Sequence, residues 1–259
     1  MASRRQASNQ GGGFLSPALP RIFAHRGLAL EAPENTLLAF ANAIAVGAEY
    51  IETDVHATQD GVSVIAHDPD LKRVANRDVR VEQLSMPELR RIDLGYGQGF
   101  CTLAEALDGF PETRFNIDIK SRAAVEPTVR AILDLQAMDR VLVSSFDEGR
   151  RAAAVRQLPG VVSSASARRF AIALLAGKVG FSPAVNSALR GLVAVQVPER
   201  ALGLRITTER MLARLHKAGV EVHVWTVNDP ARMRELLHLG VDGIVTDRVD
   251  LGLEVVRSL

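Results

Sequence analysis

The sequence predicts an α/β protein, a (β/α)8 TIM barrel with an antiparallel hairpin and a small insertion after the second strand. Three observations point to it. From residue 21 to the C-terminus, short β-branched runs alternate with helical patterns, the signature of repeated βα units and a parallel sheet. Eight such runs can be placed. The chain has 259 residues, and one α/β barrel uses roughly 250. An open doubly wound sheet is the competing arrangement of the same units.

The expected strands cover 21–25, 50–56, 114–120, 141–146, 161–166, 192–197, 221–227 and 243–247. Helices are expected over 34–46, 123–135, 148–157, 168–177, 208–218, 230–239 and 251–258. Pro230 follows Asp229, an N-cap with a proline in the first turn. Gly219 and Gly240 each follow a helix and precede a strand, as C-terminal glycine caps do. The run 62–67 breaks the alternation. Only five residues separate it from the second strand, too few for a crossover, and Asp60-Gly61 marks a hairpin. With the turn centred near Gln59 and Asp60, Glu52 and His67 come roughly opposite one another. Residues 69–110 then form an insertion, with short helices near 87–92 and 103–107. Residues 1–20 hold Gly11-Gly12-Gly13 and no apolar periodicity, which predicts a disordered arm preceding one barrel domain over 21–259.

Composition narrows the function. Lys and Arg number 31 against 30 Asp and Glu, a net charge of +1. That balance gives no electrostatic case for nucleic acid or an anionic membrane as the main partner. The single cysteine, Cys101, excludes an internal disulfide and a cysteine zinc cluster. No apolar stretch suits a secretory signal or a stable membrane insertion, so a cytoplasmic location is expected. Homo-oligomerisation stays open.

Barrel enzymes draw their catalytic groups from the C-terminal ends of different strands. Here the first strand ends in His25-Arg26-Gly27. The second carries Glu52 and Asp54 at i and i+2, on one face. The hairpin returns with His67-Asp68, the third strand ends in Asp118-Ile119-Lys120, the seventh contributes Trp225, and the eighth ends in Thr246-Asp247. Three clustered carboxylates repel one another without a cation, and oxygen-only ligands suit Mg2+ or Ca2+. Arg26 and Lys120 supply charge suited to phosphate, and two histidines can act as acid and base near neutral pH. The combination fits phosphoester hydrolysis. His56, His216, His223 and His238 are expected on the surface or on helix faces.

The order His25-Arg26-Gly27, Pro33-Glu34-Asn35-Thr36, Glu52-Thr53-Asp54, Asp60-Gly61, His67-Asp68 resembles the glycerophosphodiester phosphodiesterases. The likeness continues through 84–94, Thr102-Leu103, 116–120, Ser145-Phe146, 224–228 and 240–247, and spans 21–259. The resemblance implies a (β/α)8 barrel and metal-dependent hydrolysis of a glycerophosphodiester to glycerol 3-phosphate and an alcohol. It implies an acid/base pair in His25 and His67, metal ligation by Glu52, Asp54 and Asp118, and phosphate contacts from Arg26 and Lys120. Glu34 and Asn35 would orient His25 and Arg26, and Trp225 would pack on the glyceryl group. Two positions depart from the family pattern: Asp118 stands where Glu is usual, and Cys101 where proline is frequent. The competing functions are a lysophospholipase D-like or phospholipase C-like enzyme on lipid head groups, and an inactive barrel kept as a binding module.

Overall fold

The structure is a computed structural model that describes residues 13–259. Eight parallel strands form its centre: β1 (Arg21–His25), β2 (Tyr50–Ala57), β3 (Arg114–Ile119), β4 (Val141–Ser144), β5 (Val162–Ser163), β6 (Ala194–Val197), β7 (Glu221–Val224) and β8 (Gly243–Thr246). Neighbours pair in chain order, and β8 returns to β1 with Gly243 opposite Arg21. Between β5 and β6 the ring is completed by one bridge, Ser164 opposite Ala194. Two hydrogen bonds reinforce it, Ala165 N–H to Ala194 O (3.0 Å) and Val193 N–H to Ser163 O (3.1 Å). A doubly wound sheet would leave both edges unpaired; here the edges meet.

Side-chain alternation assigns each strand residue to one of two cores. Ile22, Ala24, Ile51, Val55, Phe115, Ile117, Val141 and Val143 face the helices. Phe23, Tyr50, Leu142, Ala194 and Val245 fill the lower barrel interior. The helices begin where side chains satisfy their first free N–H groups. Thr36 accepts from Ala39 N–H, Asp147 from Arg150 N–H, and Asp229 from Ala231 and Arg232 N–H. Thr102 and Glu105 form a reciprocal capping box.

Four expectations need correction. Residues 13–20 are packed, not free: Phe14 is 2% exposed and closes the barrel bottom against Phe23 and Tyr50. Arg21 donates to the carbonyls of Leu15 (2.9 Å) and Pro17 (2.7 Å), and Arg114 donates to Ser16 Oγ (3.0 Å). Tyr50 and Arg114 are distant in sequence from this segment, so local periodicity could not reveal its packing. The first twelve residues of the expected arm lie outside the described residues.

The second correction concerns the insertion. Helix Leu103–Gly109 buries Leu103, Ala106 and Leu107 in the main core, so it is the crossover from β2 to β3. The insertion proper precedes it and has a small core of its own, including Leu71, Val81, Met86, Leu89 and Phe100. Thirdly, the hairpin pairs Val55 with Ile65 and Ala57 with Ser63, centring its turn on Asp60 with Gly61 at φ +76°. This register is one residue from the expected one, and pairing ends at Ala66 N–H to Asp54 O (3.0 Å). His67 therefore lies beyond the ladder rather than across from Glu52. Finally, helix Ser182–Leu189 and the hairpins Asp70–Leu71 with Arg77–Arg80 and Arg200–Ala201 with Leu204–Arg205 were not expected. Two-residue strands are too short to show a period of two.

Candidate active site

Along β1, β2, β4 and β6 the inward residues change from apolar to polar towards the C-terminal end. Tyr50 is followed by Glu52 and Asp54, Phe23 by His25, Leu142 by Ser144, and Ala194 by Gln196. Register then gathers them. His25 lies opposite Glu52, Glu52 opposite Asn116, and Asp54 opposite Asp118. The result is a cavity of about 540 Å3 lined by His25, Arg26, Glu52, Asp54, His67, Asp118, Lys120 and Trp225. Residues separated by 200 positions thus share one mouth.

The turn after β1 requires its glycine. Gly27 has φ +86°, and a Cβ there would sit 2.7 Å from the Ala39 backbone, so a larger residue would push helix Leu37–Ala45 away. Arg26, also left-handed at φ 58°, is fixed by N–H bonding to Glu52 O (2.8 Å).

Both histidines are oriented through Nδ1. His25 Nδ1 lies 2.6 Å from Asp247 Oδ1, and Asn228 Nδ2 donates to the other oxygen of Asp247 (2.7 Å). His67 Nδ1 lies 2.7 Å from Asp68 Oδ1, and Arg73 Nε donates to Asp68 Oδ2 (2.6 Å). Each ring therefore presents Nε2 to its other side. Burial lowers the His25 pKa, but the Asp247 hydrogen bond and the Glu52 charge outweigh it, and the value ends above the ordinary one.

Arg26 Nη1 donates to Glu34 (2.9 Å), and the same Glu34 oxygen accepts from Arg73 Nη2 (2.6 Å). A chain of contacts therefore runs from His67 through Asp68, Arg73 and Glu34 to Arg26. Asn35 donates to Asp54 (3.1 Å) and accepts from Thr53 (2.8 Å). Glu34 thus holds Arg26 as expected, but neither Glu34 nor Asn35 reaches His25, which belongs to Asp247.

The carboxylates are the electrostatic centre. Lys120 Nζ sits between Asp54 Oδ1 (2.8 Å) and Asp118 Oδ2 (2.7 Å). Burial alone would raise Asp54, but Lys120 and Arg26 bring its pKa below the ordinary value. Burial raises Asp118 despite Lys120. Glu52 has no such cation in contact; burial and the adjacent Asp54 push it up to about 8. Its nearest positive partner, His25 Nε2, is 3.9 Å away. Arg26 Nε lies within 3.2 Å of Asp54 yet is not aligned to hydrogen bond with it.

Among the described residues, no three His, Cys, Asp or Glu side chains form a ready metal-binding group. Even so, Glu52 Oε2 and Asp118 Oδ1 are buried without hydrogen-bond partners. Unpaired buried acidic oxygens, one of them on a carboxylate with no cation in contact, form an oxygen donor set that fits a hard divalent cation. The residues that could hold one are Glu52, Asp54 and Asp118.

Trp225 lines the apolar side of the mouth, edge-on to Phe146 with ring centroids 6.0 Å apart. Cys101 is buried, and that burial pushes its thiol up to about 12, a structural position. Of the four histidines expected at the surface, His56 and His223 are buried instead. His56 Nε2 lies 3.2 Å from the His67 carbonyl and His223 Nε2 lies 3.0 Å from Glu221, so their polar atoms have partners inside. Sequence reasoning missed the roles of Asp247, Asp68 and Arg73. Charge at the end of the eighth strand could have flagged Asp247. Nothing local marks Arg73, which comes from the insertion.

A family model for the glycerophosphoryl diester phosphodiesterase family matches residues 25–251. The "Probable glycerophosphodiester phosphodiesterase 2" of Mycobacterium tuberculosis is 40% identical over 235 residues, covering 90% of this chain and 89% of its own. Glycerophosphodiester phosphodiesterase from Agrobacterium tumefaciens superposes with a TM-score of 0.75 at 26% identity, covering 93% of this chain and 100% of that one. An Oleispira antarctica phosphodiesterase, solved with the product sn-glycerol-3-phosphate, shares the fold with a TM-score of 0.76 at 21% identity, covering 92% and 97%. With the family pattern matched across most of its length and a relative this similar, the chain belongs to the glycerophosphoryl diester phosphodiesterase family.

Proposed function

We propose that this protein hydrolyses glycerophosphodiesters to glycerol 3-phosphate and an alcohol, using one divalent cation, Mg2+ or Ca2+, and two histidines. The observation carrying the proposal is the pair of imidazoles, each anchored at Nδ1 by its own carboxylate, at the rim of a cavity shared with Arg26, Lys120 and three acids. A cation held by Glu52, Asp54 and Asp118 would supply Lewis-acid stabilisation of the phosphoryl oxygens. Arg26 and Lys120 would bind those oxygens where negative charge builds during displacement.

His25 would take the proton of the attacking oxygen at Nε2, because Asp247 fixes its tautomer and stabilises the imidazolium that forms. His67 would deliver a proton from Nε2 to the departing alkoxide, with Asp68 holding the ring. Trp225 and Phe146 would pack against the glyceryl carbons. The expected result is a loss of at least about 10²-fold in turnover for both His25→Ala and His67→Ala, read as glycerol 3-phosphate released from glycerophosphocholine. Chelation should abolish the activity and a divalent cation restore it. Near-wild-type turnover in either variant would reject that histidine's role, and activity indifferent to chelator would reject the cation.

One observation favours a second reading, in which the substrate is a lysophospholipid whose glyceryl group carries an acyl chain. Phe146, Phe170, Leu174, Ala201 and Leu202 make one wall of the cavity apolar. Faster turnover of a lysophospholipid than of glycerophosphocholine would select it.

A further inference from the structure

The mouth of the barrel is lopsided. Charged groups fill the side built by β1, β2 and β3, and the opposite wall is apolar. That wall continues outside the cavity. Helix Ala167–Lys178 lines the cavity with Ala171 and Leu174. One and two turns beyond Ala171, on the same face, Leu175 is 54% and Val179 81% exposed, followed by Phe181 at 57%. Beside them, the hairpin Arg200–Ala201 with Leu204–Arg205 carries Leu202 at its tip, 66% exposed. Lys178 Nζ donates to the Arg205 carbonyl (2.8 Å), tying helix and hairpin into one lip. Exposed apolar side chains gathered at one rim in this way mark an interaction surface.

Charge identifies the partner. Residues 161–207 carry Arg168, Arg169, Lys178, Arg190, Arg200 and Arg205 against a single acid, Glu199, although the whole chain is nearly neutral. Arg200 and Arg205 face one another across the hairpin, and both are exposed. Neither makes an ion pair among the described residues, Glu199 being taken by Arg232 (2.5 Å). Directly opposed like charges weaken a strand pair, so this hairpin is better suited to an anionic surface than to water. Exposed leucine, valine and phenylalanine between basic side chains match a lipid interface rather than a nucleic acid, which would need stacking aromatics or groove-reading polar groups.

We propose that the lip formed by Leu175, Val179, Phe181 and Leu202 docks reversibly on an anionic lipid surface, setting the mouth of the barrel against it. The purpose of this docking, access to diesters presented at that surface, rests on the phosphodiesterase reading above; the docking itself does not.

The test is co-sedimentation with vesicles of phosphatidylcholine alone or of phosphatidylcholine with phosphatidylglycerol. Wild-type protein should pellet with the anionic vesicles. Recovery should fall at least about tenfold with neutral vesicles or at high salt. The double variant Leu175→Glu/Val179→Glu should lose at least about tenfold in vesicle binding. Neither side chain lines the cavity, so its circular dichroism and turnover of glycerophosphocholine should match wild type. Arg200→Ala/Arg205→Ala should weaken binding in the same direction. No recovery with anionic vesicles, equal recovery with both kinds, or a lip that instead mediates self-association lost in the double variant would overturn the proposal. Vesicle binding without any diester hydrolysis would count against the catalytic reading while supporting this one.

Discussion

The two ends of this barrel use the same residue types for opposite ends. At the bottom the buried polar groups have partners. Arg21 makes two bonds to Glu221 (2.8 and 2.9 Å) and one to Tyr50 Oη (2.6 Å), and Glu221 also meets His223, whose ring packs 4.8 Å from Phe23. At the top, buried atoms lack partners. Five such side-chain atoms occur among the described residues, and four of them, on Arg26, Glu52, Asn116 and Asp118, belong to residues lining the cavity at the barrel mouth. The difference teaches where the fold stores stability and where it gives stability up. Polar groups satisfied by the protein hold structure; polar groups left unsatisfied wait for a ligand.

The largest expected effect is at the bottom. Burial would raise the Glu221 carboxyl, but His223 and Arg21 outweigh it and hold the pKa down to about 2. Such a carboxylate contributes stability that is present above its unfolded value of 4.5 and is lost as pH falls through about 2. Glu221→Gln strands the buried Arg21 charge and should destabilise the protein by about 3 kcal/mol at pH 7. Denaturant unfolding measures it, and the difference from wild type should shrink between pH 4.5 and about 2. At a temperature where both are folded, turnover should stay within about threefold. A large fall in turnover instead would mean the two ends are coupled, and the comparison would fail.

Next in size is a substitution that touches neither substrate nor core. Arg73 donates to Asp68 and Glu34, bracing the His67 ring on one side and Arg26 on the other. Arg73→Ala should lower kcat about tenfold, roughly 1.4 kcal/mol, through misplacement of His67. KM should move less, and Arg73→Lys should recover part of the loss. Half-exposed Arg73 adds little to the fold, so the thermal midpoint should hold. A loss confined to KM would mean that Arg73 acts through Arg26 rather than through His67.

How much of this was legible in the sequence follows from the range of each interaction. The eight strands, most helices and the strand-end charges are local patterns with periods of two or 3.6 residues. Glu52 and Asp54 announce themselves by spacing alone. The family pattern located His25, Arg26, His67 and Lys120, and the structure brings all of them to one mouth. What stayed hidden were pairings across long sequence distance: Phe14 under the barrel, Asp247 behind His25, Arg73 reaching from the insertion, and His223 inside. The hairpin register was off by one residue because a turn at Asp60-Gly61 can close in more than one way. Two-residue strands leave no period to read.

The smallest expected effect is also the sharpest test of the contrast. Glu52 is pushed up to about 8, first by burial and then by Asp54. A carboxyl raised this way costs the folded state stability once it must ionise, a cost that grows as pH rises from the unfolded 4.5 through about 8. Glu52→Gln removes the charge and keeps the shape. In chelator-treated protein it should be nearly neutral near pH 4.5 and increasingly stabilising as pH rises towards about 8, a rise of a few degrees in the thermal midpoint. Hydrolysis by the same variant should be lost, because an amide cannot replace the carboxylate toward a cation. Gain of stability with loss of activity is what a group retained for function predicts. If Glu52→Gln instead lowers stability as Glu221→Gln should, its unpaired oxygen is a structural group after all, and the division between the two ends of the barrel does not hold.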